Sequence, residues 1–96
     1  MSLQALLKKP QNSFFNGEIS GSISDPRNIS GVFYTAKLTD GMFSAKITSN
    51  HHNFFEHDGK RVTISLDGKG KGHFIRRKEN YIGIPQISIG EKTKIQ

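Results

Sequence analysis

Apolar and polar residues alternate with a period of two along most of this chain, the pattern of strands with one buried face. Phe15, Gly17, Ile19, Gly21 and Ile23 fall on one side of a first strand, with Asn16, Glu18, Ser20 and Ser22 on the other. Asp25-Pro26-Arg27-Asn28 carries turn chemistry, because proline fixes φ and the Asp and Asn side chains bond to nearby backbone. A second strand follows, with Val32, Tyr34, Ala36 and Leu38 inward and Phe33, Thr35, Lys37 and Thr39 outward. Asp40-Gly41 is the strongest short hairpin signal and leads into a third strand, with Phe43, Ala45 and Ile47 inward and Met42, Ser44, Lys46 and Thr48 outward.

Residues 49–57 lose the alternation and fit one short helical turn, with Phe54 and Phe55 as anchors to the core. After a turn at Asp58-Gly59, Val62, Ile64 and Leu66 set an inward parity that Gly68, Gly70 and Gly72 continue into a long fourth strand. The glycines fit positions where a barrel wall bends sharply or lies against a neighbour. Their spacing in "GKGKGHFIRR" matches neither a dinucleotide-binding loop nor a Walker loop. Residues 76–80 read as a polar turn and 81–89 as a fifth strand, interrupted at Pro85 by a bulge or an edge position. The expected organisation is an extension over 1–12, a domain over 13–90 and a frayed tail over 91–96.

Five strands in one flat sheet would leave two long edges, so a closed arrangement is favoured. The expected fold is all-β: a five-stranded oligonucleotide/oligosaccharide-binding (OB) barrel, with its short helical segment between strands three and four. A flat meander or half-open sandwich is the competing architecture.

Composition narrows the function. The 96 residues include no cysteine, which removes disulfides, zinc-thiolate sites and cysteine nucleophiles and suits a reducing, cytoplasmic setting. Neither a secretory leader nor an apolar run long enough to span a bilayer is present, so no membrane partner is expected. Fourteen Lys and Arg against eight Asp and Glu give a net charge of +6. Seven of those cations (Lys60, Arg61, Lys69, Lys71, Arg76, Arg77 and Lys78) fall among nineteen consecutive positions that hold one acid, Asp67. Clustering of this kind is the footprint of a polyanion partner, or else a solvated face.

The stretches "GEIS" at 17–20, "SGVFYTAKLTDG" at 30–41 and "FSAKI" at 43–47 resemble the amino-terminal OB domain of the exonuclease VII large subunit. "DGKRVTISLDGKGKGHF" followed by "YIGIPQISI" looks like that domain's fourth and fifth strands. The nuclease region and helical stalk of that family have no counterpart in this sequence. The resemblance therefore implies the binding module alone, and free-standing single-stranded-DNA-binding OB proteins of primosomes and phages are the functional model.

OB barrels bind along strands two and three, between the loops joining strands one to two and four to five. On the strand parity, Phe33 is the expected stacking platform, and Lys37 and Lys46 the cations that follow the phosphates. Arg76, Arg77 and Lys78 are expected as a clamp in the loop after strand four, with Tyr81 beside it. Arg61, Lys69 and Lys71 widen the basic surface from the outer side of strand four or keep an edge soluble.

His51, His52, Glu56 and His57 are the one cluster with ligand chemistry. Their spacing matches no defined metal motif, so a surface capping segment is the reading, with neither metal nor cofactor. No catalytic constellation stands out, and an enzyme is not expected. The sequence thus points to a non-specific single-stranded DNA-binding OB protein, homo-oligomeric, in replication, recombination or phage or plasmid maintenance. RNA binding, or a protein-interaction module that never meets nucleic acid, are the alternatives.

Overall fold

The structure, a computed structural model, describes residues 3–8, 14–15, 17–66, 74–78, 85–91 and 93–96; residues 7, 14–15, 66 and 74–78 are described by backbone alone. Among the described residues a short helix, α1 (Leu3–Leu7), precedes eight strands: β1 (Phe14–Phe15), β2 (Gly17–Ser30), β3 (Phe33–Asp40), β4 (Phe43–Ser49), β5 (Arg61–Leu66), β6 (Phe74–Lys78), β7 (Pro85–Ser88) and β8 (Lys94–Ile95). A 3-10 turn, η1 (Phe54–His57), stands between β4 and β5, where the helical segment was expected.

All eight strands form one sheet in the order β1-β6-β7-β4-β3-β2-β5-β8. Pairing is antiparallel except between β4 and β7, which run parallel from Lys46↔Gln86 to Thr48↔Ser88. A parallel pair needs a long crossover between its members. Here η1, β5 and β6 lie in that connection. β5 and β6 follow one another in the chain yet border different strands, β5 on β2 and β6 on β7. The expected fourth strand is therefore present as two pieces that bring the sheet round on itself, a partly open barrel. Residues 67–73 between them, including Gly68, Gly70 and Gly72, lie outside the described residues.

The core follows the alternation. Ile19 and Ile23 of β2, Ala36 and Leu38 of β3, Ala45 and Ile47 of β4, Val62 and Ile64 of β5 and Ile87 of β7 are all buried. Gly21 occupies the inward position between Ile19 and Ile23 because the β3 wall leaves no space there. A Cβ at this site would stand 2.8 Å from Leu38 Cδ1 and 2.9 Å from the Thr39 carbonyl oxygen. The leucine can rotate away, but the backbone carbonyl cannot. Gly21→Ala is expected to lower stability by about 1–3 kcal/mol through overpacking, read as a lower denaturant midpoint at unchanged slope. An unchanged midpoint would show that the wall yields.

Two hairpins use the same turn. Gly41 (φ +63°) and Gly31 (φ +52°) each open a two-residue loop, closed by the pairs Asp40↔Phe43 and Ser30↔Phe33. Met42 and Val32 follow at ordinary φ, so glycine takes the first central position, as a type II′ turn requires. Asn28 Nδ2 donates to the Gly31 carbonyl at 2.9 Å and braces the first of these loops.

Several expectations are corrected. Residues 25–28 do not turn the chain, because β2 continues to Ser30 and absorbs them as a bulge. Val32, expected inward, is 68% exposed in the turn, and Phe43, expected in the core, is 39% exposed because it borders the β3–β4 turn at the barrel's rim. Phe55 does not reach the core and stays 51% exposed. Residues 76–78 belong to β6 rather than to a polar turn. Pro85 makes neither bulge nor edge but begins β7, an interior strand. Its ladder with β4 starts only at Gln86, so no bond to β4 is asked of the N–H that proline lacks.

Both chain ends are part of the fold. Leu3 and Leu6 of α1 are fully buried in the core, although residues 1–12 were expected as an extension. The tail expected to fray instead forms β8 on β5, with Thr63 and Gln96 exchanging two backbone hydrogen bonds of 2.8 and 2.9 Å. Short two-residue strands, β1 and β8, finish the sheet order and leave little edge to template pairing.

Candidate nucleic-acid interface

The outward face of β3 and β4 is organised in cross-strand rows. Lys37 stands directly opposite Lys46 in the antiparallel ladder. The same row runs through Ser24 of β2 on one side, and through Gln86 of β7 and then Arg77 of β6 on the other. Thr39↔Ser44 lies on one flank of it and Thr35↔Thr48 on the other. Lys37 is exposed and Lys46 half-buried. Like charges directly opposite one another in a ladder repel and weaken the pairing.

Beside this row lies a groove of about 410 Å³, lined in part by Asp25, Arg27 and Ile29 of β2, Thr35 and Lys37 of β3, and Lys46 of β4. It exists because β2 is irregular there. Between the pairs Ser24↔Lys37 and Arg27↔Thr35 β2 advances three residues and β3 two, and between Asn28↔Tyr34 and Ser30↔Phe33 it advances two against one. Each bulge adds a residue and bends the strand, and together they turn this end of β2 into a wall. Asp25 adopts φ +50°, the one positive φ outside glycine among the described residues. Its Oδ1 accepts from Arg27 Nε at 3.3 Å.

Phe33 starts β3, half-buried and on the same parity as Lys37. Tyr34 takes the opposite parity, packs on the core, and meets the Phe55 ring edge-on at 6.4 Å between centroids and 79° between planes. Thr35 and Thr48, expected outward and open, are buried; the Thr48 hydroxyl pairs with that of Ser88 at 3.0 Å.

Arg61 is engaged elsewhere, its Nη2 lying 3.3 Å from Asp40 Oδ1 across β2, which offsets the charge expected to widen the basic surface. Arg76, Arg77 and Lys78, expected in a loop, occupy ladder positions opposite Ile87, Gln86 and Pro85. A regular strand, unlike a loop clamp, fixes their spacing. Lys69, Lys71 and Tyr81 lie outside the described residues.

The histidine segment is a backbone cap. Ser49 Oγ accepts from the amides of His51 and His52, the His52 ring nitrogen Nε2 lies 3.0 Å from the Gly90 carbonyl, and Asn53 caps η1 by accepting from the Phe55 amide. Among the described residues, no three His, Cys, Asp or Glu side chains gather as metal ligands.

Sequence reasoning missed the Asp25–Arg27–Ile29 wall. Its signal, opposite charges two residues apart, has this meaning only if the stretch is a strand, and Pro26 argued for a turn.

No family model and no curated protein matches the chain. Solved structures do match, each over 100% of this chain. The OB domain of Ta0387 from Thermoplasma acidophilum is 13% identical with a TM-score of 0.68, and the match covers 83% of that chain. The Ifi202 HINa domain, solved in complex with 20-bp double-stranded DNA, is 15% identical with a TM-score of 0.63 over 45% of its length. A structure solved in work on the abrogation of pro-inflammatory cytokine activation is 14% identical with a TM-score of 0.66, and this chain spans 42% of it. These matches support the OB fold and not the narrower resemblance to the exonuclease VII domain. Identities this low carry architecture alone, and that architecture is the OB fold.

Proposed function

We infer that this chain binds single-stranded DNA non-specifically through the β3–β4 face, in replication, recombination or phage or plasmid maintenance. The observation that carries this reading is Lys37 opposite Lys46 on that face, flanked by the half-buried Thr39 and Ser44 and beside a groove. Cations spaced along a ladder meet successive phosphates, and hydroxyl groups add neutral hydrogen bonds to phosphate or sugar. Phe33, half-buried at one end of β3, offers a ring near the same face. A structural neighbour was solved in complex with double-stranded DNA, which supports a nucleic acid as the class of partner.

Fluorescence anisotropy with labelled single-stranded DNA, duplex DNA and RNA of equal length, each over a salt series, tests the reading. Single-stranded DNA is expected to bind tightest, with the logarithm of affinity falling linearly against the logarithm of salt at about 0.7 per phosphate contact. No binding at low salt, or binding indifferent to salt, would sink it. Light scattering with and without the oligonucleotide reads the expected homo-oligomer.

A further inference from the structure

We propose that Asp25 makes the groove selective for guanine, a preference laid over the non-specific phosphate contacts; this rests on the single-strand reading above. The described residues lining the groove include three cations, Arg27, Lys37 and Lys46, and one acid, Asp25. An acid beside a phosphate track weakens binding by repulsion; the ion pair with Arg27 offsets part of this and leaves acceptor positions open to a second donor. Asp25 is moreover held at φ +50°, a conformation that few non-glycine residues adopt, on a bulge that aims the chain at the groove. Strain and repulsion at one residue, inside the site, are both accounted for if its carboxylate reads a base.

A carboxylate only accepts hydrogen bonds, and it has two oxygens side by side. In a single strand the Watson–Crick edge of each base is open to such a group. Guanine presents two adjacent donors there, N1–H and the N2 amino group, which match the two oxygens. Cytosine and adenine present one amino donor beside an acceptor nitrogen, and thymine one N–H between two carbonyls that repel a carboxylate. Arg27 Nε on Oδ1 occupies one of roughly four acceptor positions and fixes the orientation of the carboxylate, leaving Oδ2 and a second lone pair on Oδ1 for the base.

The test is anisotropy titration of the full chain at fixed salt with two oligonucleotides, one all thymidine and one with isolated guanosines in a thymidine background. Isolated guanosines avoid quadruplexes. The guanosine oligonucleotide is expected to bind about fivefold tighter, near the low end for a paired base contact because Asp25 is exposed. Replacing guanine with hypoxanthine, which lacks the N2 amino group, should remove most of that difference. Asp25→Asn keeps the shape and tolerates positive φ, so the fold survives. It should bind the all-thymidine strand more tightly, because the repelling carboxylate is gone, and lose the guanine preference.

Equal affinity of the parent protein for the two strands overturns the proposal while leaving the single-strand reading intact. So does a preference that persists in Asp25→Asn or favours a base other than guanine. No binding of either strand by the parent protein overturns both.

Discussion

The double substitution Lys37→Gln, Lys46→Gln is expected to weaken single-stranded DNA binding by about fifty- to a hundredfold at about 50 mM salt. Each phosphate contact to a single strand contributes about 0.7 to the salt slope, which at that ionic strength corresponds to nearly tenfold in affinity. Two lost contacts should also flatten the slope by about 1.4, and that second readout separates lost phosphate neutralisation from a damaged fold. Glutamine keeps the Cβ and Cγ methylenes of the stem of the half-buried Lys46 and removes the like charges placed opposite one another in the ladder. Stability should therefore hold or rise slightly. A double variant that binds within twofold of the parent, at unchanged slope, places the DNA on another face. An affinity loss without a slope change points to altered groove shape instead.

Phe54→Ala is expected to lower stability by about 3–5 kcal/mol, the range for truncating a buried aromatic ring. The ring is 0% exposed, the largest fully buried side chain among the described residues, and it enters the core from η1. That turn is only four residues long, so its own hydrogen bonds cannot hold it in place. The Asn53 cap, the Ile23–Lys60 and Gly59–Ile23 backbone bonds and the Phe54 ring together fasten it to β2. Losing the ring leaves a cavity under one end of the barrel. A domain of this size has about 5–15 kcal/mol in total, so the variant should melt more than about 12 °C below the parent. Phe55→Ala serves as the matched control. Its ring is half exposed and contributes chiefly the edge-to-face contact with Tyr34, so about 0.5–1.5 kcal/mol is expected. Similar melting of the two variants would show that the assignment of Phe54 to the core is wrong.

The alternation was a dependable guide where a strand had one wet face and one dry face. Ile19 and Ile23, Ala36 and Leu38, Ala45 and Ile47, and Val62 and Ile64 all lie inward as the period of two requires. It failed at strand ends, where a side chain of inward parity has no opposite wall. Val32 lies within one two-residue turn and Phe43 borders the other, and both are left to solvent for that reason. Local chemistry misled at Asp25-Pro26, where turn-forming residues were accommodated by a bulge inside a longer strand. A turn and a bulge both require a kinked backbone, and only the partner strand decides between them.

The candidate site was legible in part for the same reason. Lys37 and Lys46 could be placed on the outward face of consecutive strands, but their direct opposition depends on register, set by the Gly41-Met42 turn and by Leu38 and Ala45 facing each other in the core. The pairing of Arg61 with Asp40 spans twenty-one residues of chain, and nothing local distinguishes it from an unpaired surface cation.

By itself, the sequence determined which residues alternate, where Gly41 opens the β3–β4 hairpin, and that a basic all-β protein with one helical turn would result. These are properties of neighbouring residues and their backbone preferences. Tertiary structure alone decided that α1 and the carboxyl end belong to the fold, that β4 and β7 run side by side, and that Asp25 faces two lysines across a groove. Those outcomes depend on which distant segments share a ladder, and chain closure, rather than any local preference, chooses among them.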